Sequence, residues 1–308
     1  MAVEQLKIGF IGQGFIGKNY ADDFENRGFS IVRYALEEEY KNNGERLKEC
    51  RVIFVAVPTP TTPKGFDDSI LRDVIRHTPT GSVVVIKSTM LPGTSESIQE
   101  QYSDRIILHS PEFLREATAA HDAAHPSRNI IGITRGTKEQ KEAAELVLSI
   151  LPDAPYEKIC SAREAEYIKY GGNNWFYFKI VFINMLYDLA KKDGCEWEVI
   201  RDAMAADPRV GKSHLMPVHK RGTPGGDNFE VVKGKEQKGE RGAGGHCFIK
   251  DFAAFAELYK KTFPDETKGI EVLSSLECKN IDLLMSSGKD LDLLKGVYGE
   301  NPQQVCNS

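Results

Sequence analysis

The sequence lacks any long apolar run. Its longest apolar stretches, residues 52–57 and 83–86, are far shorter than the roughly 20 residues that a membrane-spanning helix needs. The first residues, MAVEQLKIGFIG, contain no basic segment followed by a separate apolar one, as a secretory signal peptide would. The sequence therefore predicts no membrane partner and no secretory signal.

The sequence also has no excess of positive charge and no paired cysteine motif. Lys and Arg number 40 against 45 Asp and Glu, and the net charge of −5 gives no electrostatic support for a nucleic-acid partner. The six cysteines are scattered without a C-x-x-C pair, so we expect neither a disulfide framework nor a metal site. A reducing, cytoplasmic location is the natural compartment for such a chain.

Short β-branched runs alternate with helical stretches through the first half of the 308 residues. The runs are LKIGFIG, FSIVRY, RVIFVAV, GSVVVIK, DRIILH and RNIIGIT, and helical spacing appears over residues 15–27, 67–77 and 137–151. This alternation predicts an α/β fold, with an N-terminal Rossmann-like, doubly wound parallel sheet over residues 1–160.

From Ser161 onward the pattern is helical. Ser161 and Glu164 have the spacing of a capping box, which predicts a helix start at this point. We expect an all-helical second domain over residues 161–308, serving substrate binding and dimerisation, with a long glycine-rich loop over residues 217–245.

The first long helix of this second domain carries an apolar stripe. Its members recur at three- and four-residue steps: Trp175, Phe178, Phe182, Met185 and Leu189. Such a stripe is more typical of a protein core or a subunit interface than of a ligand site. We therefore expect a homodimer.

A glycine motif, Gly12-x-Gly14-x-x-Gly17, follows the first strand and opens a helix. Glycines in this context allow a tight turn and a close approach of backbone N–H groups to a pyrophosphate, which predicts a dinucleotide site. About 20 residues further on, where a carboxylate would hold the ribose of NAD, the chain has Arg33. An arginine there can pair with the 2′-phosphate of NADP, whereas residues 37–39, all Glu, could instead hold the ribose of NAD, so these residues leave both cofactors open.

Polar residues follow the third and fourth strands. Pro58 and Thr59 come after one and Thr89 after the other, where parallel strands face a ligand crevice. After the fifth strand, Glu112 and Glu116 are four residues apart, so a helical turn there would place both carboxylates on one face and suit acid–base chemistry. A solvated pair of acids at a helix start is the ordinary alternative.

Two further patterns suggest catalytic groups. Lys169 and Asn173 are four apart on the long helix, where an ammonium and an amide on one face could stabilise an oxyanion. Cys247 follows two glycines and is expected at a helix N-terminus, which favours a thiolate, with Asp251 one turn further on. Cys247 is therefore a candidate nucleophile, although a buried structural cysteine is the usual alternative.

Together these segments resemble the UDP-glucose/GDP-mannose dehydrogenase family. The matching motifs, in chain order, are GQGFIG, VAVPTP, KSTMLPGT, SPEFLREATAAHDAAHPSRNIIG, EAEYIKYGGNN and GAGGHCFIKD, of which SPEFLRE and GGHC are specific. The resemblance implies an NAD-dependent enzyme that oxidises the primary alcohol of a nucleotide-sugar to a carboxylate. UDP-glucose is the first candidate substrate.

The resemblance also assigns residue roles. Cys247 would attack the intermediate aldehyde, and Glu116 would act as base when water hydrolyses the resulting thioester. The implied catalytic residues are Cys247, Lys169, Asn173, Glu116, Asp251 and Thr89. The implied cofactor-binding residues are Gly12, Gly14, Phe15, Ile16, Gly17, Arg33, Pro58, Thr59, Thr89, Glu116 and Lys250. The implied substrate-binding residues are Glu112, Phe113, Leu114, Arg115, Lys169, Asn173, Arg209 and Gly244, with Arg209 reaching substrate across a dimer interface.

The chain departs from the family pattern in several places. Arg33 replaces an acid, Ile249 replaces a proline, and the segment between Arg209 and Gly244 is long. Only residues 252–308 follow the cysteine motif, so we expect a short form without the second Rossmann-like domain that the family has there. Basic residues of the long loop are expected to supply phosphate contacts instead: Lys220, Arg221, Lys233, Lys235 and Lys238.

Two other interpretations remain. A two-domain β-hydroxyacid dehydrogenase has similar length and also uses a Lys-x-x-x-Asn pair, but it transfers a single hydride and needs no cysteine. A non-catalytic relative would keep the fold without turnover.

Overall fold

The computed structural model describes residues 6–219 and 239–307. The chain divides into two compact units, one formed by Met1–Thr59 and Asp67–Tyr170 and the other by Pro60–Phe66 and Gly171–Ser308. The division falls within one long helix, and a short segment of the N-terminal half belongs to the second unit. The domain bounds expected from the sequence, 1–160 and 161–308, stay a prediction.

Strands and helices mostly alternate through the first unit, and helices predominate after β9. The strands are β1 (Lys7–Ile11), β2 (Ser30–Tyr34), β3 (Val52–Val55), β4 (Thr61–Thr62), β5 (Gly65–Phe66), β6 (Val83–Ile86), β7 (Ile106–His109), β8 (Asn129–Ile133), β9 (Glu157–Ser161), β10 (Val218–His219) and β11 (Glu240–Arg241). The α-helices are α1 (Phe15–Asn26), α2 (Ser69–Arg76), α3 (Thr94–Gln101), α4 (Ala119–Ala124), α5 (Lys138–Ile150), α6 (Ala162–Lys192), α7 (Trp197–Ala205), α8 (Gly245–Thr262), α9 (Thr267–Ser287) and α10 (Leu291–Tyr298). Shorter 3-10 segments cover Lys41–Glu49, Glu116–Thr118 and Pro302–Asn307.

The first unit is built on a seven-stranded sheet in the order β2-β1-β3-β6-β7-β8-β9. All its pairings are parallel except β7 with β8, which is antiparallel. The predicted Rossmann-like α/β fold is confirmed. The parallel direction predicted for β8 is wrong, because a buried apolar run indicates burial on both faces but not strand direction. The seventh strand, β9, was not predicted, because its residues are exposed or only partly buried and form no apolar run.

Aromatic side chains form the centre of the first unit's core. Phe10 of β1 stacks on Phe54 of β3 with ring centroids 5.1 Å apart, and Phe24 of α1 meets Phe10 edge-on at 5.3 Å. All three rings are almost fully buried. Since burying such a ring contributes roughly 1.5–3 kcal/mol, this contact ties α1 firmly to the sheet and fixes the turn that precedes it.

The second unit is mainly helical. Tyr177 of α6 stacks on Phe252 of α8 with ring centroids 3.8 Å apart, and Trp197 of α7 lies edge-on to Tyr187 of α6. The β4–β5 hairpin joins this unit through Thr61, whose hydroxyl donates to the Lys250 carbonyl at 3.0 Å. Sequence patterns had not indicated that this hairpin belongs to the helical half.

Helix α6 begins as the sequence predicts. The Glu164 carboxylate accepts from the Ser161 backbone N–H at 2.8 Å, and the Ser161 hydroxyl accepts from the Glu164 N–H at 3.2 Å, which completes a capping box. Further along, Trp175, Phe182 and Leu189 are more than half exposed. Phe178, by contrast, packs edge-on against Phe252 in the core of the second unit, so only part of the stripe is exposed.

The predicted loop over residues 217–245 is closed at its base by a strand pair. Val218 pairs with Arg241 and His219 with Glu240, in antiparallel register. The basic residues that were expected to contact phosphate lie outside the described residues: Lys220, Arg221, Lys233, Lys235 and Lys238.

One expectation about cysteines is corrected. Cys278 of α9 and Cys306 of the last 3-10 segment form a disulfide, 28 residues apart in sequence. Scattered spacing had argued against disulfides, but spacing does not report that the chain end returns to α9. Among the described helices, none is long and apolar enough to cross a membrane.

Candidate functional site

The glycine motif forms a tight strand–turn–helix junction in the first unit. Gly12 has a φ of +87°, and a Cβ there would lie 2.2 Å from the Ala56 carbonyl oxygen. A Cβ at Gly17 would lie 1.9 Å from the Gly12 carbonyl oxygen, so both positions need glycine. At Gly14 a Cβ would meet nothing within 4 Å, which leaves open space beside the first turn of α1. This arrangement fits a pyrophosphate on the helix N-terminus.

Two residues of the motif, Phe15 and Ile16, start α1 itself. Phe15 is half exposed and Ile16 is partly buried against the core of the unit. No side chain caps the helix, because its N-cap residue is Gly14. Its first backbone N–H groups therefore retain the partial positive charge that attracts a phosphate.

Arg33, at the end of β2, is engaged by carboxylates. Its guanidinium lies 2.7 Å from the Asp22 carboxylate and 2.8 Å from that of Glu25, both on α1. It also donates to the Gln13 side-chain oxygen at 3.1 Å. The arginine that could pair with the 2′-phosphate of NADP is thus already paired with two carboxylates.

The strand-end residues contact one another. Thr59 donates to the Thr89 carbonyl oxygen at 2.6 Å, and both threonines are buried, whereas Pro58 is exposed. The Ser88 hydroxyl donates to the Val57 carbonyl at 2.7 Å and accepts from the Val57 N–H at 3.0 Å. The carboxyl ends of β3 and β6 are therefore joined by side-chain hydrogen bonds.

Lys87 is a buried group that sequence reasoning did not single out. Its ammonium lies 3.0 Å from the Ser110 hydroxyl and 4.1 Å from the centre of the Tyr20 ring. Burial lowers the pKa of Lys87 to about 7, although Glu112 opposes this shift. A lysine directly after a four-residue apolar strand was the available signal, since a charged residue is seldom fully buried without a structural purpose.

Beside Lys87 lies His109, which is fully buried and neutral. Burial and the neighbouring charge of Lys87 lower the pKa of His109 to about 3. This histidine is therefore unsuited to proton transfer near neutral pH.

Glu112 and Lys169 form a buried ion pair in the first unit. Lys169 Nζ lies 2.6 Å from Glu112 Oε1 and donates to the Glu112 carbonyl at 2.9 Å. The other carboxylate oxygen accepts from the Leu114 N–H at 2.7 Å. Because both partners are buried, breaking this pair by removing one of them would leave an uncompensated charge.

The predicted helical pairing of Glu112 with Glu116 is wrong. Residues 111–115 have no regular structure, and Glu116 begins a three-residue 3-10 segment. Glu112 is buried while Glu116 is exposed, so the two carboxylates do not share a helix face. The Leu114 N–H donates to the Glu112 carboxylate, a local contact that a four-residue spacing cannot reveal.

The residues that follow Glu112 in the SPEFLRE segment differ in burial. Phe113 and Leu114 are partly buried, and the Phe113 ring lies under the Arg128 guanidinium at 3.7 Å. Arg115 is exposed and pairs with Asp122 at 2.8 Å. Partial burial raises the pKa of the Asp122 carboxyl, but hydrogen bonds from Arg115 and Thr118 outweigh this effect and lower that pKa to about 2.

In the second unit, Cys247 is placed as predicted at the start of a helix. Gly244 is the N-cap of α8, and Gly245 adopts a φ of +76° before Cys247 in the first turn. The thiol side chain is exposed. Gly244 has no side chain to cap the helix, and the Asp290 carboxylate accepts from the Gly245 N–H at 2.7 Å in place of such a cap.

Asp251 of α8 contacts two other predicted site residues, Asn173 and Lys250. The carboxylate accepts from Asn173 Nδ2 of α6 at 2.6 Å and lies 2.5 Å from Lys250 Nζ. Asp251 is fully buried, so its two oxygens are both held by charged or amide donors in place of water. The orientation of the Asn173 amide is therefore set by Asp251.

Three residues that sequence analysis missed hold the turn before Cys247. Asn280 of α9 exchanges two hydrogen bonds with the Ala243 backbone, at 2.7 and 2.9 Å. Lys289 donates to the Gly242 carbonyl at 3.0 Å, and Asp290 accepts from the Gly245 N–H at 2.7 Å. No sequence signal linked these three residues to the cysteine turn, because they lie far from it along the chain and only the fold brings them beside it.

Arg209 lies in a turn of the second unit. Its guanidinium pairs with Asp207 at 2.6 Å, and its side chain is 88% exposed.

The predicted catalytic residues are divided between the two units. Thr89, Glu116 and Lys169 belong to the first unit, and Asn173, Cys247 and Asp251 belong to the second. No cluster of three or more metal-ligating side chains occurs in the described residues.

Comparison with known families matches both units. The NAD-binding-domain model of the UDP-glucose/GDP-mannose dehydrogenase family matches residues 32–150, and the central-domain model of the same family matches residues 163–272. The chain belongs to this family. The alternative family, the two-domain β-hydroxyacid dehydrogenases, is therefore not the family of this chain.

Individual relatives of the family are considerably longer than this chain. A putative UDP-glucose 6-dehydrogenase of Bacillus subtilis (strain 168) is 33% identical over 272 residues, covering 83% of this chain and 56% of that protein. A UDP-glucose 6-dehydrogenase of Rickettsia bellii (strain RML369-C) is 27% identical over 231 residues, covering 72% of this chain and 48% of that protein. The chain spans about half the length of the curated relatives it matches.

Solved structures of the family share this fold. A UDP-glucose dehydrogenase from the hyperthermophilic archaeon Pyrobaculum islandicum aligns with a TM-score of 0.70 at 23% identity, covering 88% of this chain and 68% of that one. A UDP-D-ManNAc dehydrogenase from Pyrococcus horikoshii also gives 0.70, at 19% identity, covering 94% and 72%. At these identities the likeness establishes the fold.

Proposed function

We propose that this protein is a nucleotide-sugar dehydrogenase that oxidises a primary alcohol to a carboxylate. The observation that carries the proposal is Cys247 in the first turn of α8, with Asp251 and Asn173 hydrogen-bonded one turn further on. A one-step alcohol oxidation has no need of a presented cysteine. A four-electron oxidation does, because the thiol can hold the aldehyde between its two halves.

The first unit would hold the nicotinamide cofactor. Gly12, Gly14 and the first turn of α1 would bind its pyrophosphate, with Pro58, Thr59 and Thr89 at the adjacent strand ends. Lys250 and Glu116 are further candidates from the family resemblance. When bound, the cofactor supplies the acceptor for each hydride, so one carboxylate consumes two equivalents of oxidised cofactor.

The chain's own residues would carry the carbon chemistry. Cys247 Sγ attacks the carbonyl carbon of the aldehyde, and the resulting thiohemiacetal loses a hydride to become a thioester. Water then attacks that thioester, releasing the carboxylate and the free thiol. The balance is one alcohol and one water consumed, with two hydrides and three protons released at neutral pH.

Lys169 and Asn173 would stabilise the oxyanions formed in these steps. The ammonium of Lys169 is fixed by Glu112, and the amide of Asn173 is fixed by Asp251, so both donors are held in place before substrate binds. Glu116 is exposed and is our candidate for the base that activates water. Glu112 then acts as a support for Lys169.

UDP-glucose is the proposed substrate. The relatives in B. subtilis and R. bellii are named as a putative UDP-glucose 6-dehydrogenase and a UDP-glucose 6-dehydrogenase. Phe113, Leu114, Arg115 and Gly244 complete the proposed substrate-binding set, together with Arg209.

The proposal is tested by counting hydrides. The purified protein is assayed with UDP-glucose, GDP-mannose and their amino-sugar analogues, each with NAD⁺ and with NADP⁺. We expect two reduced cofactors per substrate and a carboxylate product. Cys247→Ser should lower carboxylate formation by at least about 1,000-fold because a hydroxyl is a far weaker nucleophile than a thiolate.

The matched control is Cys195→Ser, which alters another exposed cysteine in the loop between α6 and α7. It should keep full activity. One reduced cofactor per substrate, together with an active Cys247→Ser variant, would contradict the cysteine route. No reduction with any substrate would indicate the non-catalytic relative.

We also propose that two copies associate through α6. Trp175, Phe182 and Leu189 present exposed apolar surface along this helix, and a groove of about 380 Å³ continues it. The groove is lined by Gly171, Asn174, Trp175, Phe178, Phe255, Tyr259, Gly269, Val272 and Leu273. The buried Asn174 amide lacks a hydrogen-bond partner in the described residues, which an association partner could provide.

A further inference from the structure

We infer that Asp22 and Glu25, through their hold on Arg33, make this protein select NAD⁺ over NADP⁺. The inference rests on the proposed dinucleotide site of the first unit and goes beyond it by naming the residues that discriminate between the two cofactors. The sequence alone left this choice open, because an arginine at the end of β2 is compatible with either cofactor.

The position of Arg33 gives it a part in cofactor recognition. In a dinucleotide-binding βαβ unit, the residue at the end of the second strand, about 20 residues beyond the glycines, meets the adenosine ribose. Arg33 lies at the end of β2, in register with Phe10 of the neighbouring strand β1. A phosphate on the ribose 2′-oxygen would therefore approach this guanidinium.

The guanidinium is already neutralised. Arg33 contacts the carboxylates of Asp22 and Glu25 at 2.7 and 2.8 Å, and its own side chain is only 12% exposed. A third contact, at 3.1 Å, joins it to Gln13 of the glycine turn. These contacts direct the positive end of Arg33 toward α1.

A 2′-phosphate would meet an unfavourable charge arrangement here. It carries close to two negative charges and would have to displace one or both carboxylates from Arg33 or lie beside them. Lys18 offsets little of this, because it pairs with Asp22 at 2.6 Å and is mostly exposed. The 2′-hydroxyl of NAD⁺ is neutral, meets no such repulsion, and can exchange hydrogen bonds with Gln13 or Arg33.

Neutralising both carboxylates should release Arg33 for the phosphate. We expect the unsubstituted chain to bind NAD⁺ at least about tenfold more tightly than NADP⁺, by calorimetric titration of each nucleotide. In the D22N/E25Q variant the dissociation constant for NADP⁺ should fall about tenfold, while that for NAD⁺ changes by less than about threefold. The gain should shrink at high salt, since the pairing is electrostatic.

Two further variants show whether Arg33 is responsible. E139Q/E142Q removes the same two negative charges from exposed positions on α5 of the same unit and should leave both affinities unchanged. Adding Arg33→Gln to D22N/E25Q should abolish the gain in NADP⁺ affinity.

The outcomes separate the inference from the proposed function. If both nucleotides bind but the wild type shows no preference, or D22N/E25Q leaves the ratio of dissociation constants unchanged, the inference is overturned while the dinucleotide site stands. If neither nucleotide binds any variant, the proposed dinucleotide site fails and the inference falls with it.

Discussion

At the scale of single residues, burial changes the pKa of charged groups in the first unit, and Lys87 is the clearest case. Its amine is buried against Ser110 and Tyr20, and burial lowers its pKa to about 7. In the unfolded chain the same amine keeps its proton up to a pH of about 10.4. Between these values the unfolded state binds more protons than the folded state, so this group makes stability increase with pH.

Lys87→Met should remove that dependence. As pH rises from 7.5 to 9.5, the wild type's free energy of unfolding should increase relative to the variant's by up to about 1.4 kcal/mol per pH unit. Urea denaturation at three pH values measures the difference. Lys158→Met, at an exposed lysine of β9, should leave the slope unchanged. Equal slopes for Lys87→Met and wild type would show that the lysine is not neutral when folded.

At the scale of elements, the β1–α1 junction separates the needs of folding from those of binding. A Cβ at Gly17 would collide with the Gly12 carbonyl, whereas a Cβ at Gly14 would enter open space at a φ of −71° that alanine also adopts. Gly17→Ala should therefore destabilise the protein by roughly 1–3 kcal/mol, as overpacking does. Gly14→Ala should fold normally and bind NAD⁺ more weakly, because its methyl group occupies the space beside the helix N–H groups.

Thermal denaturation and nucleotide titration distinguish the two variants. A Gly14→Ala variant that binds NAD⁺ as tightly as wild type would mean that no pyrophosphate lies against this turn. A Gly17→Ala variant of unchanged stability would mean that the close contact relaxes without cost.

The elements of this chain were predictable to different degrees. Strands β1, β3, β6 and β7 follow directly from buried β-branched runs, and α6 follows from its capping box. The irregular conformation of residues 111–115 was not predictable, because the Glu112 carboxylate pairs with Lys169, a residue far along the chain. The hairpin at 60–66 was missed for the same reason, since its partner is α8.

At the scale of the whole molecule, the exposed face of α6 leads to a prediction about assembly. Phe182 is 56% exposed in the middle of the apolar stripe. Phe182→Glu would place a charge on both sides of a symmetric interface and should weaken self-association by at least about 100-fold. Sedimentation velocity across a range of protein concentrations measures the change.

The control for assembly is Val199→Glu, which introduces the same charge at an exposed apolar residue of α7, off the stripe. It should sediment like wild type. A wild-type protein that is monomeric at all concentrations would contradict the proposed dimer, and an unaffected Phe182→Glu dimer would place the interface elsewhere.

The sequence by itself determined the α/β character of the first half, the helical character of the second, and the glycine and cysteine turns. These features depend on local backbone geometry and on the periodicity of burial, and both are determined by residues that are neighbours in the sequence. Only the tertiary structure decided which polar groups are paired: Arg33 with Asp22 and Glu25, Lys169 with Glu112, and Asn173 with Asp251. The physical reason is that an ion pair or hydrogen bond depends on distance in space. Here packing brings those partners together.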